Sequence, residues 1–124
     1  MNRKIYTDKA PAAIGPYSQA IECGNLLFLS GMIPVDPATG DLVEADIKVQ
    51  AGQIMKNIDN LLKEAGYSVD DVVKTTCFLA DIADFAAFNE VYGEYFTSKP
   101  ARSCVAVKDL PKGAMVEVEV IASK

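Results

Sequence analysis

The sequence predicts an α+β fold in which two helices cover one face of a sheet. Three observations carry this. The first third holds short apolar runs cut by turn residues, which read as β-hairpins. Two stretches with apolar residues at steps of three and four flank a run rich in β-branched residues. The C-terminal end alternates strictly, with Val116, Val118 and Val120 on one side and Glu117 and Glu119 on the other.

Taken in order, the turn residues Pro11, Gly15 and Pro16 precede a strand over 18–23. Gly24-Asn25 then makes a hairpin turn into Leu26–Ser30, and Asp36–Gly40 (DPATG) is a second turn. Asp46–Ala65 reads as the first helix. Ile47, Ala51, Ile54, Ile58, Leu61, Leu62 and Ala65 form its apolar stripe, with Asp46 as N-cap and Gly66 just past its end. Val72–Ala80 reads as a strand and Asp81–Phe96 as a second amphipathic helix, with Phe85, Phe88, Tyr92 and Tyr95 on one side. Pro100 ends that unit. The last two strands are expected to form a closing hairpin around Pro111-Lys112-Gly113.

Length and composition narrow the function. A chain of 124 residues is a single domain, residues 1–124, with half of its residues hydrophobic. No apolar run is long enough for a transmembrane helix and the first residues lack a signal-peptide pattern, so a soluble cytoplasmic protein is expected. A net charge of −5 and scattered lysines argue against a nucleic-acid binder. Cys23, Cys77 and Cys104 lack CxxC spacing and the chain has no histidine, which argues against a zinc site and for buried, reduced thiols. The continuous run Leu26-Leu27-Phe28-Leu29 suggests a strand buried on both sides. Two helices cover only one, so a homo-oligomer is the economical cover for the other.

The residues able to carry chemistry are few. The chain has two arginines, and Arg3 is expected in a frayed terminus, which leaves Arg102 as the planar fork able to bind a carboxylate through two parallel hydrogen bonds. Glu117 and Glu119 share a strand face that is either solvated or turned toward a polar site. Tyr17 sits in a Gly-Pro turn, and Ser30-Gly31 at a strand end can offer backbone N–H groups to an anion. Asn89 lies on the second helix. Cys104 has no histidine to activate it, so packing is preferred over nucleophilic attack. Each of these residues, taken alone, also suits an ordinary structural or surface role.

Together they resemble one family. APAAIGPYSQ (residues 10–19), SGMIPVDPATG (30–40), VVKTTCFLADIADFAAFNEVYGEYF (72–96) and PARSCVAVKDLPKGAMVEVEVIA (100–122) look like the Rid family, and the likeness covers nearly the whole chain. Its best-known members are reactive-intermediate (enamine/imine) deaminases of the RidA type. The resemblance implies a chorismate-mutase-like fold, a single mixed sheet with two helices on one face, assembled as a homotrimer with sites between subunits. It implies that Arg102 holds a substrate carboxylate and that Glu117 positions water or moves protons. Cys104 would act mainly through its backbone carbonyl, and Tyr17, Ser30, Gly31 and Asn89 would line the pocket. The implied substrates are 2-iminopropanoate, 2-iminobutanoate and 2-aminoacrylate, converted to 2-keto acids and ammonia with no cofactor or metal. One departure is the short link between Phe96 and Pro100, longer in some members, which leaves the pocket rim and substrate size open.

Overall fold

The computed structural model describes residues 2–124. Six strands form one mixed sheet: β1 (Arg3–Ile5), β2 (Ala20–Cys23), β3 (Leu26–Met32), β4 (Val72–Leu79), β5 (Ala101–Ala106) and β6 (Val116–Ser123), in the order β1-β2-β3-β6-β4-β5. Two helices, α1 (Ile47–Ala65) and α2 (Phe85–Tyr95), pack on each other and on the sheet.

The local sequence explains most of these elements. Gly24 takes a positive φ of 61° between the paired residues Cys23 and Leu26, closing a two-residue hairpin. The Asp46 side chain accepts from the N–H groups of Lys48 and Val49, and Gly66 ends α1 in the left-handed conformation at φ 83°. A short 3-10 turn, Ile82–Asp84, precedes α2, so the second helix begins later than its periodicity suggests. Arg3 is not frayed: it lies in β1 and its Nε donates to Glu22 Oε1 at 3.0 Å, across the β1–β2 pair.

The expected closing hairpin does not form. β5 pairs parallel to β4 at the sheet edge, while β6 runs antiparallel between β3 and β4. The cause is the helix between β4 and β5, a crossover that returns the chain parallel to β4. The link from β5 to β6 then crosses the end of β4, tied there by Val107 N–H to the Leu79 carbonyl (2.8 Å) and Ala80 N–H to the Met115 carbonyl (2.9 Å).

Val116, Val118 and Val120 are buried, with Leu27, Leu29, Cys77 and Leu79, under Ile54, Ile58, Leu61 and Phe88 of the helices. The opposite face carries Phe28, Phe78, Ile121, Glu117 and Glu119 and has no layer over it among the described residues. Phe28 is 42% exposed there, so the apolar run of β3 is buried on one side only in a single copy.

Candidate functional site

On the open face, the β3–β6 register shifts between Leu29 and Met32, a bulge that contains Ser30 and Gly31. Ser30 is fixed by two hydrogen bonds: its Oγ donates to the Ser18 carbonyl at 2.6 Å and its N–H to the Gln19 carbonyl at 3.0 Å. Gly31 lies against Glu117. A Cβ added at Gly31 would stand 2.1 Å from Glu117 Oε2, so the absence of a side chain is what admits the carboxyl. The Glu117 carboxyl makes no hydrogen bond or ion pair among the described residues. Burial, with the charge of Glu119 adding, pushes its carboxyl above the ordinary carboxylate range. Tyr17, held by its N–H to the Gly15 carbonyl (2.9 Å), leaves its ring about half exposed. Tyr17, Ser30 and Gly31 border a largely apolar cleft of about 320 Å³, walled also by Pro11, Val35 and Pro111.

A second group sits at the β5 edge. Arg102 pairs in register with buried Thr75, and Cys104 with buried Cys77, which turns both residues to the helix side. The Arg102 guanidinium lies 4.7 Å from the centroid of the Tyr92 ring and 5.5 Å from that of Phe85. Its Nη1 donates to Asn89 Oδ1 at 2.7 Å. Tyr92 is anchored in turn by a 2.7 Å hydrogen bond with Thr75 Oγ1. Among the described residues no carboxylate lies within 4.0 Å of Arg102, and the bond to Asn89 is the one hydrogen bond its guanidinium makes. Its remaining donors are thus unused by side chains of its own chain. Burial pushes the Cys104 thiol up, against the charge of Arg102, so it is protonated at neutral pH and a poor nucleophile.

The two groups do not meet within one chain. Arg102 faces the helices and Glu117 the open side, and β4 lies between their strands, a lateral separation of roughly 10 Å at ordinary strand spacing. Tyr17, Ser30, Gly31 and Glu117 come together on one face; Arg102, Asn89 and Cys104 come together on the other. The aromatic seat of Arg102, Phe85 and Tyr92, was visible in the sequence only as the apolar side of a helix. Its signal was the spacing of Phe85, Asn89 and Tyr92, which puts all three on adjoining turns of one face.

Three buried carboxamides were not anticipated as part of the site. Gln19 is almost fully buried. Gln50 and Asn57 fall at positions 50 and 57 of the α1 stripe that otherwise holds Ile47, Ala51, Ile54 and Ile58. Two amides in an apolar helical stripe are the signal that could have found them.

Comparison with known proteins agrees with this architecture. The family model described as Endoribonuclease L-PSP matches residues 7–124. A RutC family protein of Pyrococcus horikoshii is 54% identical over 125 residues, covering 100% of this chain and 99% of the relative. Among solved structures, the Rid family protein YyfA of Yersinia pestis superposes with a TM-score of 0.97 at 51% identity, covering 100% of both chains. Escherichia coli TdcF with bound serine gives 0.94 at 44% identity, covering 98% of each. A match that spans nearly the whole chain, on the same sheet and helices, shows that the protein belongs to the Rid (endoribonuclease L-PSP) family.

Proposed function

We propose that the protein is a 2-imino acid deaminase that works as a homotrimer, each site shared between two copies. The observation that carries this is the pair of unpartnered charges. Arg102 holds spare donors in a preset aromatic seat, and Glu117 holds a carboxyl of raised pKa beside Gly31, yet the two lie on opposite sides of the sheet. Binding a small anion would use the first alone; moving a proton near that anion requires the second. Copies that bring the β5 edge of one against the open face of the next would unite them. The same contact would cover Phe28.

In such a site Arg102 fixes the substrate carboxylate through a two-point contact, and Ser30 and Gly31 complete the cradle. A water held by Glu117 and the Cys104 carbonyl adds to the imine carbon. One water proton passes through Glu117 to the nitrogen, giving the carbinolamine; its hydroxyl proton then moves to the same nitrogen as the C–N bond breaks, which releases ammonia and leaves the 2-keto acid. Neither bond change calls for a metal or an organic cofactor. Imines hydrolyse in water unaided, so a positioned acid–base group worth about 10²–10⁴-fold is sufficient. The serine bound to TdcF is a molecule of the same class, a short 2-amino carboxylate, and supports a carboxylate-binding cleft here. RNA cleavage, which the family description names, finds little support in a chain of net charge −5 without histidine.

The test is competition with semicarbazide for 2-iminobutanoate or 2-aminoacrylate generated by a threonine or serine dehydratase. The protein should suppress semicarbazone formation and Arg102→Ala should not. Suppression undiminished in Arg102→Ala would overturn the site. No suppression by the native protein, with 2-oxobutanoate still raising its Tm, would leave a carboxylate-binding protein in place of an enzyme.

A further inference from the structure

Apart from the Ser30–Met32 end of β3, the walls of the 320 Å³ cleft come from loops and turns outside the sheet. One is the irregular segment 7–16, one the stretch around Val35, and one the turn around Pro111 that leads to Met115. Each is held by a different buried carboxamide. The Gln19 side chain pairs with the Thr7 backbone in both directions: Oε1 accepts from Thr7 N–H at 2.8 Å and Nε2 donates to the Thr7 carbonyl at 3.0 Å. The same Nε2 donates to the Pro11 carbonyl at 2.8 Å. Asn57 Nδ2 donates to the Val35 carbonyl at 2.8 Å, and its Oδ1 accepts from Gln53 at 2.9 Å. Gln50 Oε1 accepts from Met115 N–H at 2.9 Å, while its Nε2 reaches the Val43 carbonyl at 3.4 Å.

Burying an amide is costly unless its hydrogen bonds are made, and an apolar residue would fill these positions as well. Here the three amides serve main-chain groups that lie outside the six strands of the sheet. Gln19 is tied to the site twice, because its carbonyl also receives the Ser30 N–H.

We propose that Gln19, Gln50 and Asn57 are positioning residues for the cleft, each fixing one of its walls so that Tyr17, Ser30 and Gly31 are preset for a small carboxylate. This deepens the deaminase reading and rests on it for turnover, but its binding part stands without it. A preset cleft acts on substrate affinity, whereas loss of folded protein lowers the active fraction and leaves KM alone.

The experiment compares Gln19→Met, Gln50→Met and Asn57→Leu, near in size but unable to make these bonds, with Tyr95→Phe. Tyr95 donates to Asp59 Oδ1 at 3.0 Å, away from the cleft, so its variant loses a comparable bond with no wall attached. Three quantities are read: KM and kcat for imine loss, and Kd for 2-oxobutanoate, which binds without turnover. A wall that is no longer preset must be ordered when the ligand binds, so KM and Kd should rise by roughly 10-fold in the amide variants with kcat little changed. Tyr95→Phe should lower Tm with KM intact. If the amide variants lose kcat in step with Tm while KM and Kd hold, the residues are merely structural and the proposal fails. If Kd rises but no version turns over the imine, the positioning role stands and the deaminase reading falls. Should a variant fail to fold, Gln19→Asn and Gln50→Asn keep a buried amide but shorten its reach. An unchanged KM and Kd in those would equally overturn the proposal.

Discussion

At Gly31 a hydrogen stands where any other residue would place a carbon against the Glu117 carboxyl. The atom that must yield is the far end of a flexible side chain, not backbone, so Gly31→Ala should leave Tm within a degree or two while displacing the carboxyl. A displacement of this kind predicts a loss of about 10²-fold in kcat/KM, measured in the semicarbazide competition. The ionisation of Glu117 gives a second expectation. Its folded pKa is raised, so the folded chain binds this proton more tightly than the unfolded one. The cost of ionising it is absent below the unfolded value and grows as pH rises through the folded one. For catalysis the deprotonated form is the water-holding one. The acid limb of the pH–rate profile should therefore fall above the ordinary carboxylate range, and Glu117→Gln should flatten that limb as well as lower the rate.

Among the elements, the helices were the most legible. The α1 stripe, Asp46 and Gly66 stand next to one another in the sequence, and each acts over a single turn. Asp46→Ala removes an acceptor for two N–H groups and should cost about 1 kcal/mol, read as a lower urea midpoint at unchanged slope. The alternation of β6 likewise placed Val116, Val118 and Val120 inside and Glu117 outside without further help. What could not be read was which strands are neighbours. Both orders, β5 beside β6 and β4 between them, give the same local pattern, and the choice rests on the crossover through α2. The face of Arg102 was hidden for the same reason, since it follows from register with Thr75 and not from the PARSC string itself. The site residues were candidates by residue type and position, and family resemblance gave them roles; their division into two groups came only with the sheet order.

For the molecule as a whole, that division makes a prediction about mixtures. If each site takes Arg102 from one copy and Glu117 from another, two inactive variants can repair each other. Arg102→Ala and Glu117→Gln, unfolded together and refolded in equal amounts, should regain about a quarter of native activity, since half of the copies supply each intact residue. Either variant refolded alone should remain inactive or nearly so. Activity that stays at the level of the separate variants would mean that the two residues do not share a site. The open face gives an independent reading by sedimentation: Phe28→Glu places a charge in the proposed contact and should shift the protein toward monomer and abolish activity together.

The strand that completes the sheet is the last one in chain order. β6 pairs on both sides, with β3 and with β4, which are separated by α1 in the sequence. During synthesis, then, β3 and β4 emerge as two unjoined edges, and neither can be closed until Val116–Ser123 clears the ribosome. A nascent chain halted before β6 should remain protease-sensitive however long it waits, and should become resistant once some thirty or so further residues of linker (on the order of 3.3 Å each when extended) carry that strand out of the tunnel.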